Sequence, residues 1–81
     1  MEKLNSIITV NSEIQNGQPV FANTRVPVES LFMHLEKGIS LDVFLEDFPS
    51  VKKEQAIYVL ELAEKIFNSK NLNSLLDEIA A

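Results

Sequence analysis

The apolar positions change period along the chain. Ser6 to Val10 is a short β-branched run and Pro19 to Ala22 is another, separated by the turn-forming Asn11, Ser12, Asn16 and Gly17. This predicts a small hairpin, or two loosely paired strands, over the first twenty-odd residues. From about Val28 the spacing becomes helical: Val28, Leu31, Phe32 and Leu35 share one face, and Gly38 is a left-handed terminator. Pro27 biases Val26 away from the helical region and suits a first helical turn. Ser40 is a good N-cap for a second, short helix with Asp42 in its first turn, a stripe of Leu41, Phe44, Leu45 and Phe48, and a stop at Pro49. After the link Pro49 to Lys52, a third helix is predicted from Lys53 to Phe67, with Ala56, Val59, Leu60, Ala63, Ile66 and Phe67 on its main stripe. Ile57, Tyr58 and Leu62 fall on a second face, which calls for cover from the hairpin or from another subunit.

The polar stretch Asn68-Ser69-Lys70-Asn71 interrupts the pattern. Beyond it Leu72, Leu75, Leu76 and Ile79 recur at i, i+3, i+4 and i+7, with Asp77 and Glu78 on the polar side, capped by Asn71 or by a Ser74–Asp77 capping box. The chain thus reads as mostly α: residues 1–68 form a strand pair with three helices, and residues 69–81 form a hinge and a C-terminal amphipathic helix.

A chain of 81 residues buries only about 60% of its unfolded surface, so its core supplies about 3 to 5 kcal/mol of net stability and self-association is expected. With no cysteine and one histidine, His34, disulfides, thiolate zinc sites and a dedicated transition-metal site are not expected. The apolar run near the amino terminus is too short for a signal peptide, and the longest, Ala56 to Leu60, is too short to span a bilayer. The expectation is a soluble cytoplasmic protein without a membrane role. Seven basic against twelve acidic residues give −5 overall, and the deficit lies in the second half, where four basic residues face eight acidic ones. Nucleic-acid affinity comes from cations that neutralise phosphates, so any DNA binding here needs a local patch or a dimer.

No convergent catalytic set is present. Glu46 and Asp47 are adjacent and diverge on a helix, His34 has no carboxylate one turn away, and Gly17 and Gly38 belong to unrelated turns. Neither enzymatic activity nor a cofactor is expected. The second and third helices have the dimensions of a helix-turn-helix: Lys52 and Lys53 could meet phosphates, and Gln55 or Tyr58 could approach bases or backbone. Glu54 and Glu61 on the same exposed face would repel phosphate, so a plain helical hairpin and a DNA-reading motif both stand. Arg25, the only arginine, fits a five-donor clamp on nearby carbonyls or a carboxylate better than an anion site, and Asn23 tolerates positive φ at that corner. The carboxy-terminal helix, too short to persist alone, either folds back on its own core or lays its leucines into a partner's groove, its acidic face suiting a basic partner.

The run Asn16-Gly17-Gln18-Pro19-Val20-Phe21-Ala22-Asn23-Thr24-Arg25-Val26-Pro27-Val28, followed by Leu35, Gly38, Ser40 and Glu46-Asp47-Phe48-Pro49, resembles a widespread prokaryotic family of small proteins, formerly of unknown function, known as VapB-like antitoxins. That family's pattern is G-x-P-x-I-x-G-T-R-I-P-V, then L-x-x-G-x-S and D-[FY]-P, and the likeness spans about residues 5 to 66. The chain departs at Asn23, where the family usually has glycine, and at Lys52, where Thr or Ser often caps the long helix. The resemblance implies a homeodomain-like three-helix fold with an amino-terminal strand pair, and a role as the antitoxin of a toxin–antitoxin pair whose toxin is a PIN-like ribonuclease. By position, Asn23, Thr24, Arg25 and Pro27 form the family's hallmark corner, and Lys52 to Tyr58 open its recognition helix. The combined expectation is a homodimeric antitoxin whose body contacts operator DNA and whose Leu72, Leu75, Leu76 and Ile79 dock on the toxin. The contrasting expectation is an interaction module or scaffold of the same shape that does not bind DNA.

Overall fold

Most helix boundaries fall where their capping residues put them. In the computed structural model, which describes residues 2–69 and 72–80, the elements are α1 (Glu2–Ile7), β1 (Ile8–Thr9), a 3-10 turn (Gln15–Gly17), β2 (Val20–Phe21), α2 (Val28–Glu36), α3 (Leu41–Asp47), α4 (Lys53–Phe67) and α5 (Leu72–Ala80). The architecture is a small, mostly helical domain with a two-stranded antiparallel sheet, Ile8 pairing with Phe21 and Thr9 with Val20. At the end of α2 Gly38 takes φ 79°, its N–H reaching Leu35 O at 3.0 Å while Ile39 N–H reaches His34 O at 2.9 Å. These two bonds are the paired closure of a Schellman motif. Ser40 caps α3 as its hydroxyl accepts from Val43 N at 3.2 Å.

The first strand is shorter than its β-branched run suggests. Residues 2–7 are helical and only Ile8 and Thr9 pair, so the expected strand over Ser6 to Val10 is corrected to a helix-to-strand junction. The reason is tertiary. Ile7 is buried in the core, its carbonyl accepts from Ala22 N at 2.8 Å, and Ser6 O accepts from Gln55 49 positions later. Burial and distant partners outweigh the weak intrinsic strand preference.

Phe21, Leu31 and Phe44 are fully buried and form the centre of a core completed by Ile7, Val51, Ala56 and Val59. The rings of Phe21, Phe44 and Phe48 pack in sequence, each tilted against the next, with centroids 6.1 and 5.1 Å apart. His34 is half-buried and meets Phe44 and Phe48 edge-on, at 5.3 and 5.5 Å. Its Nδ1 lies 2.9 Å from Ser30 O, and its Nε2 lies 3.4 Å from Asp47 Oδ2. The carboxylate that its own helix does not place one turn away is supplied by α3. The α4 stripe holds for Ala56, Val59, Leu60 and Ala63, but Ile66 and Phe67 are 45% and 62% exposed.

The connection from β2 to α2 is a tight corner. Asn23 sits at φ 63°, and the Thr24 hydroxyl donates to Phe21 O at 2.7 Å and accepts from Val26 N at 3.0 Å. A left-handed conformation costs a residue with a Cβ about 1 to 2 kcal/mol, less for asparagine. Asn23→Gly is therefore expected to leave thermal stability unchanged or slightly raised, and Asn23→Val to lower it by about 1 kcal/mol or more, read from thermal melts.

Candidate functional site

Lysine has no acceptor with which to cap a helix, so the start of α4 depends on another side chain. Gln55, only 5% exposed, supplies it: its Oε1 accepts from Lys52 N at 3.0 Å, half of a capping box. Its Nε2 donates to Ser6 O and to Ala22 O, each at 3.3 Å. The partners fix the amide's orientation, since one is a donor and two are acceptors. Gln55 is therefore not available to a base edge, and its expected part in DNA reading is corrected to a structural one. It ties α4 to α1 and to the end of β2.

The other residues singled out at the start of α4 remain accessible. Lys52 and Lys53 are exposed and Tyr58 is half-buried, and Lys3 of α1 lies over the Tyr58 ring at 5.1 Å from its centroid. A groove between α1 and α4 gathers Lys3, Lys52, Lys53 and Tyr58 together with Glu54 and Glu61. Lys3 carries no sequence signal for this position. It arrives there only because residues 2–7 form a helix that packs beside α4.

A second, shallower groove lies along the corner and includes Thr9, Thr24 and Arg25. The clamp expected of Arg25 is not formed: its side chain is exposed and makes no hydrogen bond or ion pair among the described residues. Thr24 and the backbone already satisfy the corner. Phe21 O accepts from the Thr24 hydroxyl and Thr24 N, Phe21 N donates to Val26 O, and the carbonyl of Arg25 itself accepts from Gln15 Nε2 at 3.2 Å. Asn23 and Ser50 border both grooves, so the two surfaces are contiguous. Pro27 is half-buried at the N-cap of α2 in an extended conformation, one position outside the first turn it was expected to enter.

On α5, Leu72 is half-buried, while Leu76 is 45% and Ile79 74% exposed. The Leu75 side chain and the Asn71 cap lie outside the described residues. Leu72 N donates to Ser69 O at 3.2 Å, and the helix starts at Leu72, beyond the polar break. Among the described residues no group of three or more His, Cys, Asp or Glu is placed to hold a metal ion, and no helix is long and apolar enough to cross a membrane.

The crystal structure of a DUF433 member protein from Anabaena variabilis is similar to this chain with a TM-score of 0.67 and 24% identity, covering 99% of this chain and 74% of that one. At that identity the likeness speaks to the fold alone. No curated protein matches the chain. The model of the family described as protein of unknown function DUF433 matches residues 8–63, a span that takes in the strand pair, the corner, α2, α3 and most of α4. With that span about two thirds of the sequence, the chain belongs to the DUF433 family.

Proposed function

We propose that this protein is the antitoxin half of a type II toxin–antitoxin pair, acting in the cytoplasm as a homodimer, with α5 docking on a PIN-like ribonuclease toxin and the body contacting operator DNA. The observation that carries the reading is the apolar arm: Ile66 and Phe67 at the end of α4, and Leu76 and Ile79 on α5, lie open to solvent. Four large apolar side chains left open near the end of α4 and on α5 fit a surface of association. Nine residues hold a helix poorly in water, so a partner that receives the leucine stripe also stabilises the helix. Asp77 and Glu78 suit a basic rim on that partner. In this reading α2, α3 and α4 are a homeodomain-like unit, α3 and α4 stand as a helix-turn-helix, and Lys52, Lys53 and Tyr58 face the DNA backbone. The role is one of binding, with no catalytic residue and no cofactor assigned. The resemblance of the Thr24-Arg25-Val26-Pro27 corner to VapB-like antitoxins supports the pairing with a toxin.

A second reading is favoured by one observation: the burial of Gln55 removes the amide best suited to read a base, and Glu54 and Glu61 stay on the groove. In that reading the protein is an interaction module without DNA function.

Co-expression with the product of the neighbouring reading frame tests the arm. Among the described residues the buried core all precedes Leu60, so a chain ending at Asn68 keeps it. The full chain is expected to co-purify with the partner and restrain its nuclease activity, and the shortened chain to bind at least about a hundredfold more weakly, because burying each leucine-sized side chain is worth about 1.5 to 3 kcal/mol. Equal binding by both chains removes the arm from the account. Binding by neither removes the partner assignment.

A further inference from the structure

The basic residues are not spread evenly. Among the described residues four of the basic side chains, Lys3, Arg25, Lys52 and Lys53, line the two contiguous grooves, against two acidic ones, Glu54 and Glu61. Among the described residues this surface has a formal charge of +2, within a chain of −5. Three segments far apart in sequence build it: α1, the corner after β2, and the start of α4. Between the grooves stand Asn23 and Ser50, neutral side chains able to donate to phosphate oxygens. Arg25 is the telling member, because its guanidinium is exposed and unpaired among the described residues while its surroundings are already satisfied.

We propose that this strip, running from Arg25 across Asn23 and Ser50 to Lys52, Lys53 and Lys3, is a track for the sugar-phosphate backbone of duplex DNA, gripping it without reading its bases. The inference rests on the DNA half of the function proposed above and changes its chemistry. Cations in both grooves, joined through the neutral Asn23 and Ser50, suit a chain of phosphates. The start of α4 offers lysines and a carboxylate to the grooves, while its one amide is committed to Ser6 and Ala22. Affinity then comes from counterion release, with a slope of log K against log salt of roughly −0.9 for each phosphate neutralised. An acidic protein is the less favoured ligand, because Glu54 and Glu61 would repel its clustered carboxylates, whereas phosphates spaced along a strand can pass to either side of them.

The test is fluorescence anisotropy of the full chain with two labelled duplexes of equal length, one from the DNA upstream of its own reading frame and one scrambled, across a salt series. The two duplexes are expected to bind within a fewfold of each other. Arg25→Gln and Lys3→Gln should each weaken both and flatten the salt slope by roughly 0.9. Glu61→Gln should tighten both, and Lys37→Gln, altering an exposed lysine outside the grooves, should leave the slope unchanged. If Arg25→Gln and Lys3→Gln bind as the parent does while Lys52→Gln and Lys53→Gln do not, the track is wrong and the helix-turn-helix reading survives. If the parent binds neither duplex at low salt, the track and the DNA half of the function fall together. Strong preference for the upstream duplex overturns backbone-only recognition, and displacement by poly-glutamate at equal charge concentration overturns DNA in favour of an acidic partner.

Discussion

Phe44→Ala is expected to leave a large fraction of the protein, about half, unfolded at room temperature. Phe44 is fully buried, and its ring meets Phe21, Phe48 and His34, so the substitution removes contacts to β2, α2 and the end of α3 at once. Removing a buried phenylalanine side chain costs about 3 to 5 kcal/mol through lost burial and the cavity left behind. A domain of this size has about 3 to 5 kcal/mol in total. The loss is therefore comparable with the whole stability. Circular dichroism and urea titration read it directly: a flat or strongly left-shifted unfolding curve is expected, and a midpoint close to that of the parent would show that the domain draws its stability from elsewhere. Phe44→Leu, which keeps most of the volume, should retain a cooperative transition.

The second large effect is expected at Gln55. Gln55→Leu leaves Lys52 N, Ser6 O and Ala22 O without their side-chain partner in a part-buried to buried setting. Each such group costs about 1 to 3 kcal/mol when nothing replaces its hydrogen bond, and partial access of water to the outer two brings the expected total to about 2 to 3 kcal/mol. For a domain of this length that lowers Tm by about 10 to 20 °C. Gln55→Glu should be worse near neutral pH, because a carboxylate there faces two carbonyl oxygens with no proton to give. Its acid form can donate, so the fold would raise this carboxyl's pKa above its value in the unfolded chain. Stability of that variant is then greatest below the ordinary carboxylate range and falls as pH rises, whereas Gln55→Leu has no such dependence at this position. Equal melting curves for the parent, Gln55→Leu and Gln55→Glu would show that the amide bonds hold nothing together.

Both effects depend on positions whose importance differed in visibility along the chain. Phe44 lies on a regular stripe, Leu41, Phe44, Leu45 and Phe48, and its burial follows from the helical period. The end of α2 and both limits of α3 are equally legible, since Gly38, Ser40 and Pro49 act within a turn of themselves. Gln55 gives no such signal, because what buries it is a carbonyl 49 residues away and another 33 away. The same distance hides α1: a β-branched run beside a turn reads as strand until Ile7 is known to enter the core. Arg25 shows the reverse error. The corner needed donors for its carbonyls, but a neighbouring threonine and the backbone supplied them first, which freed the guanidinium. Of the surface around the grooves, Lys52, Lys53 and Tyr58 were legible from helix spacing, whereas Lys3 and the contiguity through Asn23 and Ser50 required the fold.

The tie from Ser6 to Gln55 also sets an order of events during synthesis. At about 5 to 20 residues per second, Ser6 and Ile7 leave the peptidyl-transfer centre roughly 2 to 10 seconds before Gln55 and Val59 are made. During that interval the amino-terminal segment has neither its hydrogen-bond partner nor the side of the core that covers it. A nascent chain ending before Gln55 lacks Ala56 and Val59 as well, so it has no closed core to protect it from proteases. The first helix to be translated is thus among the last to find its place, and folding of the body waits for α4 to be made.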